Sequence, residues 1–140
     1  MAISARSLEN FQVEINTPNH MIRSDEPIGV GGNDTGPNPY DLLLSSLAAC
    51  KIITVQMYAR HKGWPLTGVE LTMSTEKIHA RDCEDCESDP NAKVDIIQTE
   101  IKFLGALDNN QLGRLKDISE KCPVQRTLIS ETKIRTKILN

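Results

Sequence analysis

The pattern of hydrophobic and polar positions changes period along this chain, and each change marks an element. In "FQVEIN", Phe11, Val13 and Ile15 alternate with Gln12, Glu14 and Asn16, which predicts a half-buried strand. "TPN" reads as a turn, and "HMIR" returns as the second strand of a hairpin. "DEPIGVGGNDTGPNPY" is dense in Gly, Pro, Asn and Asp and predicts a loop. A helix is expected from about Tyr40 to His61, with Asn38 or Pro39 near its cap and Asp41 in its first turn. Gly63 and Pro65 end it. From Leu42 to Cys50 its only polar residues are Ser45 and Ser46, so burial is expected on most of its faces.

After Trp64 the period becomes two. Val69, Leu71 and Met73 oppose Glu70, Thr72 and Ser74; in "AKVDIIQTEIKFLG", Ile97, Thr99, Ile101 and Phe103 share a side. An acidic connection, "HARDCEDCESDPNAK", joins these two strands. Asp108 then caps a helix, with Gln111 at the capping-box position and Leu112, Leu115 and Ile118 as its inner stripe. "CPVQRTLIS" predicts a further short helix, and "TKIRTKIL" a closing strand in which Thr132, Ile134, Thr136 and Ile138 alternate with Lys133, Arg135 and Lys137. The order is α+β with antiparallel sheets around a long, buried central helix, without the βαβ repeat of a doubly wound chain.

Length and composition narrow the function. The 140 residues predict a single domain, 1–140, with a hydrophobic fraction of 39% and a charged fraction of 25%. A net charge of −3 gives no basic footprint for nucleic acid. No apolar run approaches the ~20 residues of a membrane span, and the N-terminus lacks a signal-peptide layout, so a cytoplasmic location is expected. So short a chain has few elements with which to cover its apolar central helix. A second copy of the chain, in a homodimer, would complete the cover.

In a cytoplasmic chain, four cysteines point to catalytic, redox-sensing or metal-binding use. Cys122 precedes Pro123, which places its thiol at a helix N-cap, where unpaired N–H groups favour thiolate. Lys121 and Arg126 would add positive charge there. Cys50 lies in "SSLAACKIITV", where apolar neighbours raise a thiol's pKa. Lys51 is adjacent, but neighbouring helical residues do not share a face. Ser45, Ser46, Ala48 and Ala49 leave room for another segment to approach. Each thiol taken alone reads more simply as core packing.

"DEPIGVGGNDTGPNPYDLLLSSLAAC" together with "KCPVQRTL" resembles the OsmC/Ohr family of osmotically inducible and organic hydroperoxide resistance proteins, over essentially the whole chain. The resemblance implies an intertwined homodimer with sites at the subunit interface and a cysteine-based peroxidase that needs no cofactor. By that analogy Cys50 attacks the peroxide and becomes a sulfenic acid, and Cys122 resolves it as a disulfide. A dithiol or a lipoylated protein is the implied reductant, and an apolar pocket around Cys50 would favour organic hydroperoxides. Family peroxidases activate the first cysteine with an N-terminal arginine, for which Arg6 and Arg23 are the candidates, and with a glutamate directly after the helix-opening proline. Here Tyr40 follows Pro39, and the nearest carboxylate, Asp41, lies about 100° further round the helix.

His79, Cys83 and Cys86 form a second constellation. Its readings, in order, are an inert exposed loop, a metal site or disulfide clip, and a redox pair, whose thiol pKa values Asp82, Glu84, Asp85 and Glu87 would raise. A zinc site lacks an evident fourth ligand. His20 in the hairpin turn and His61 at the helix end read as surface residues. The alternative to the peroxidase is a non-catalytic protein of the same fold that binds a small apolar ligand, or a metal through the 79–86 loop.

Overall fold

The alternation in "FQVEIN" becomes a strand with a partner on each side. In the computed structural model, which describes residues 2–140, β1 (Ser4–Ser7), β2 (Val13–Asn16) and β3 (Met21–Ser24) form an antiparallel sheet in the order β1-β2-β3. The predicted hairpin is β2–β3, in register Val13↔Ser24 to Asn16↔Met21. Its turn is closed by the Thr17 hydroxyl, which accepts from the His20 N–H at 3.0 Å. The strand β1 has no clear apolar alternation, and pairing with β2 rather than local pattern makes it a strand.

The predicted loop is organised around Asp25, which is 2% exposed. Its carboxylate accepts from the N–H groups of Glu26, Asn33 and Thr35 and from the Thr35 hydroxyl. Burial opposes ionisation of Asp25, but these donors outweigh it and hold the carboxyl below its ordinary range. A Cβ on Gly32 would lie 1.9 Å from the Glu26 carbonyl oxygen, so only glycine lets the two backbones meet there.

The chain forms two compact units, one ending at Ser46 and one spanning Leu47–Asn140, and the boundary falls inside α1 (Pro39–Lys62). α1 opens on a reciprocal cap. The Asn38 side chain accepts from the Asp41 N–H at 2.9 Å, while Asp41 Oδ2 accepts from the Asn38 N–H at 3.1 Å. At the other end Gly63, at φ 68°, takes the left-handed conformation that stops the helix. By length and mean hydropathy, 1.5 over its best window, α1 would suffice to cross a bilayer, which the sequence reading did not expect. A core helix passes the same test, and α1 is used as one: Leu47, Lys51, Val55 and Ala59, four apart, form its buried stripe.

That stripe is narrower than the composition predicts. Tyr40, Ile53 and Met57 are 65%, 53% and 66% exposed, so burial on most faces is not met within one chain.

In the second unit, β4 (Leu66–His79) and β5 (Lys93–Gly105) form a long antiparallel hairpin, paired from Leu66↔Gly105 to His79↔Lys93 with an irregularity between Leu66 and Gly68. Val55, Ala59, Leu115 and Ile118 make the core, flanked by Trp64, Leu66, Val69, Phe103 and Leu107. α2 (Asn109–Ser119) supplies Leu115 and Ile118 and has the predicted capping box, with Asp108 accepting from the Gln111 N–H at 2.8 Å and donating its own N–H to Gln111 Oε1 at 2.9 Å. Replacing Asp108 by alanine is expected to cost about 1 kcal/mol of stability, measured by denaturant unfolding.

α3 (Pro123–Ile129) follows, and beyond it the expectation from sequence is corrected. The predicted strand over 132–138 does not form: Ile134 and Ile138 are 90% and 79% exposed, and the segment has no regular structure. The alternation is present, but alternation alone does not make a strand: one forms only where a neighbouring strand takes up its N–H and C=O groups, and the tail joins neither the β1-β2-β3 sheet nor the β4-β5 pair.

Candidate dithiol site

α1 carries one thiol, Cys50, and the Cys-Pro start of α3 carries the other, Cys122. Cys50 is half-buried and Cys122 fully buried; both are free, and Cys50 lies near enough to Cys122 to act on its ionisation. Cys122 is the N-cap of α3, as its position before proline predicts, and its Sγ accepts from the Gln125 N–H at 3.3 Å.

The electrostatic expectation for Cys122 is corrected. Its thiol is pushed above its ordinary value rather than below it. Burial is the main cause; the hydrogen bond from Gln125 and the charge of Lys51 pull the other way, and Cys50 adds to the rise. A single N–H and a nearby cation do not recover the solvation that a fully buried sulfur has lost. Cys122 is therefore held as a neutral thiol.

Lys51 is the residue that sequence reasoning passed over. It is 6% exposed and donates from Nζ to the Ser119 carbonyl at 3.2 Å and to Gln125 Oε1. The signal was available: Lys51 stands at the four-residue spacing of Leu47, Val55 and Ala59, so a cation occupies the inner stripe. Lys121 and Arg126, expected to add charge, are both exposed.

The other candidates are engaged elsewhere. Arg6 Nε and Nη2 donate to the two carboxylate oxygens of Glu14, at 3.0 and 3.2 Å. Arg23 stands opposite Glu14 in the β2–β3 register. Asp41 is committed to the α1 cap. Cys83 and Cys86 are joined in a disulfide at the end of the β4–β5 hairpin, with Cα atoms 5.5 Å apart, which is the clip among the three readings. Cys83, Asp85 and Cys86 cluster as potential ligands, but His79 is not among them, and its Nδ1 is buried without a hydrogen-bond partner. While bonded to each other the two sulfurs are not thiolate ligands. A hollow lined by Gln56, Arg60, Trp64 and Thr67 includes neither Cys50 nor Cys122.

A long helix carrying one thiol, a Cys-Pro corner carrying the other, and two antiparallel sheets define a class of dithiol α+β proteins. The chain belongs to the OsmC-like protein family, whose model matches residues 31–137. Among solved structures it is similar to a protein from Psychrobacter arcticus 273-4 described with osmotic stress induction and the detoxification response, at 21% identity and a TM-score of 0.68 over 90% of this chain and 86% of that one. An OsmC-like protein from Mycoplasma pneumoniae matches at 20% identity and a TM-score of 0.65, over 91% of this chain and 85% of that one. An organic hydroperoxide resistance protein, OsmC, from Legionella pneumophila matches at 19% and 0.64, over 91% and 88%. At these identities the likeness establishes the fold. No curated protein matches the chain.

Proposed function

We propose that this protein is a cysteine-based reductase of organic hydroperoxides. The observation that carries the reading is the nearness of two free thiols: Cys50, half-buried on α1, acts on the ionisation of Cys122, fully buried at the start of α3. The family, and neighbours named as organic hydroperoxide resistance proteins, support it.

The steps balance as follows. The Cys50 sulfur attacks the terminal oxygen of the peroxide; the O–O bond breaks, a proton passes to the departing alkoxide, and Cys50 sulfenic acid and an alcohol result. Cys122 sulfur then attacks the Cys50 sulfur, expelling the hydroxyl as water and leaving a Cys50–Cys122 disulfide. Two electrons from an external dithiol, such as a lipoylated protein, return both thiols. Because Cys122 is buried and Cys50 only half-buried, the reductant reaches the Cys50 sulfur, and its own second thiol releases it from the mixed disulfide.

A second copy of the chain belongs to this reading. The exposed apolar residues of α1, Ile53 and Met57, and the alternating tail that carries Ile134 and Ile138 are faces for a homodimer to cover.

The test is steady-state consumption of an alkyl hydroperoxide with a dithiol or a monothiol as reductant. The dithiol is expected to support turnover and the monothiol to support far less. Because the Cys122 thiol is held above its ordinary range, the condensation step should accelerate roughly tenfold per pH unit through neutrality, following the thiolate fraction. Equal turnover without added thiol, or none with the dithiol, would contradict the assignment.

A further inference from the structure

We propose that Lys51 is a positioning residue of the dithiol site: it is the buried cation that becomes counter-ion to the Cys122 thiolate, and it ties the end of α2 to the first turn of α3. The proposal rests on the reading of Cys122 as the resolving thiol.

The argument begins with a cost. A lysine side chain seldom lies almost fully buried, and a buried ammonium is expensive to hold unless it is paired. Lys51 has two acceptors, the Ser119 carbonyl and the Gln125 amide oxygen, and both are neutral. None of the ion pairs formed among the described residues includes it. The first acceptor is accounted for by the fold, since Ser119 closes α2 and the last carbonyls of a helix have no partner within it. The excess positive charge is not. It has no anion in the resting site, and one arises there when a thiol ionises.

Geometry selects Cys122 as that thiol. Lys51 holds the Gln125 side chain, and the Gln125 backbone N–H donates to Cys122 Sγ, so one residue links the cation to the sulfur. The ionisable groups of α1 that act on Cys122 are Cys50 and Lys51, and of these only Lys51 favours the anion. When Cys50 becomes a sulfenic acid, Cys122 must lose its proton to attack. Lys51 then supplies the field that burial withholds, and holding Gln125 keeps the N–H aimed at the sulfur.

The test separates charge from scaffold and does not depend on peroxidase activity. In Cys50→Ser protein with the Cys83–Cys86 bond intact, Cys122 is the only free thiol, and its ionisation is read from the ultraviolet thiolate band as pH is raised. Lys51→Gln removes the charge while keeping an amide donor, and should raise the midpoint of the titration by about one pH unit. Lys51→Arg should restore it to within a few tenths of the parent. In otherwise native protein, Lys51→Gln should slow disulfide formation after peroxide about tenfold at neutral pH and leave sulfenic acid formation unchanged.

A Gln variant that titrates like its parent, or an Arg variant displaced as far as the Gln variant, would overturn the counter-ion role. Because Cys50 is absent from the titrated protein, that result would leave the peroxidase assignment standing. Absence of any Cys50–Cys122 bond in the wild type would remove the assignment without touching the titration.

Discussion

Replacing Cys50 by serine is expected to abolish hydroperoxide turnover, a loss on the order of a thousandfold or more, as when the nucleophile of a concerted site is removed. Serine has nearly the shape of cysteine, so the variant should fold, and its hydroxyl is neither ionised at neutral pH nor able to carry oxygen as a sulfenic acid. Cys122→Ser should behave differently. It keeps the attacking sulfur, so one equivalent of peroxide should still be reduced; the Cys50 sulfenic acid should then persist and be trapped by a dimedone-type reagent. The two serines thus divide the reaction at its intermediate. Equal residual activity in both variants would mean that the thiols do not act in sequence.

Leu115→Ala is expected to cost about 3 kcal/mol, lowering Tm by roughly 10 °C. Leu115 is fully buried in α2 and packs with Val55 and Ala59 of α1 and Ile118 of its own helix, beside Trp64 and Phe103. Removing its side chain would leave a void where α1 and α2 meet, between elements that hydrogen-bonded strands and caps keep from collapsing inward. The same contact carries Lys51 toward Ser119, so the variant should also slow disulfide formation. Chemical unfolding checks the first effect; a midpoint unchanged within error would place the core elsewhere.

Much of this was legible before any coordinates. Alternation located β2, β4 and β5; Asp108 with Gln111 and Cys122 with Pro123 marked two helix starts, because caps are local chemistry between residues three apart. What could not be read depends on segments distant in sequence. β1 is a strand because β2 pairs with it, and the alternating tail fails to become one because no edge receives it. The cap position of Cys122 favours thiolate, whereas burial, which no local pattern gives, decides its ionisation. Lys51 read only as a neighbour of Cys50 on a different face of the helix. Its partners, Ser119 and Gln125, lie 68 and 74 positions away, beyond the reach of any periodicity.

The central claim is that Cys50 and Cys122 form one redox pair, and a single experiment tests it most directly. Fully reduced protein receives one equivalent of an alkyl hydroperoxide, free thiols are blocked at once, and the non-reduced peptides are mapped. The account predicts rapid appearance of a peptide joining Cys50 to Cys122, with release of one equivalent of alcohol. If both thiols are recovered free, or the peroxide oxidises only Cys83 and Cys86, the account is contradicted.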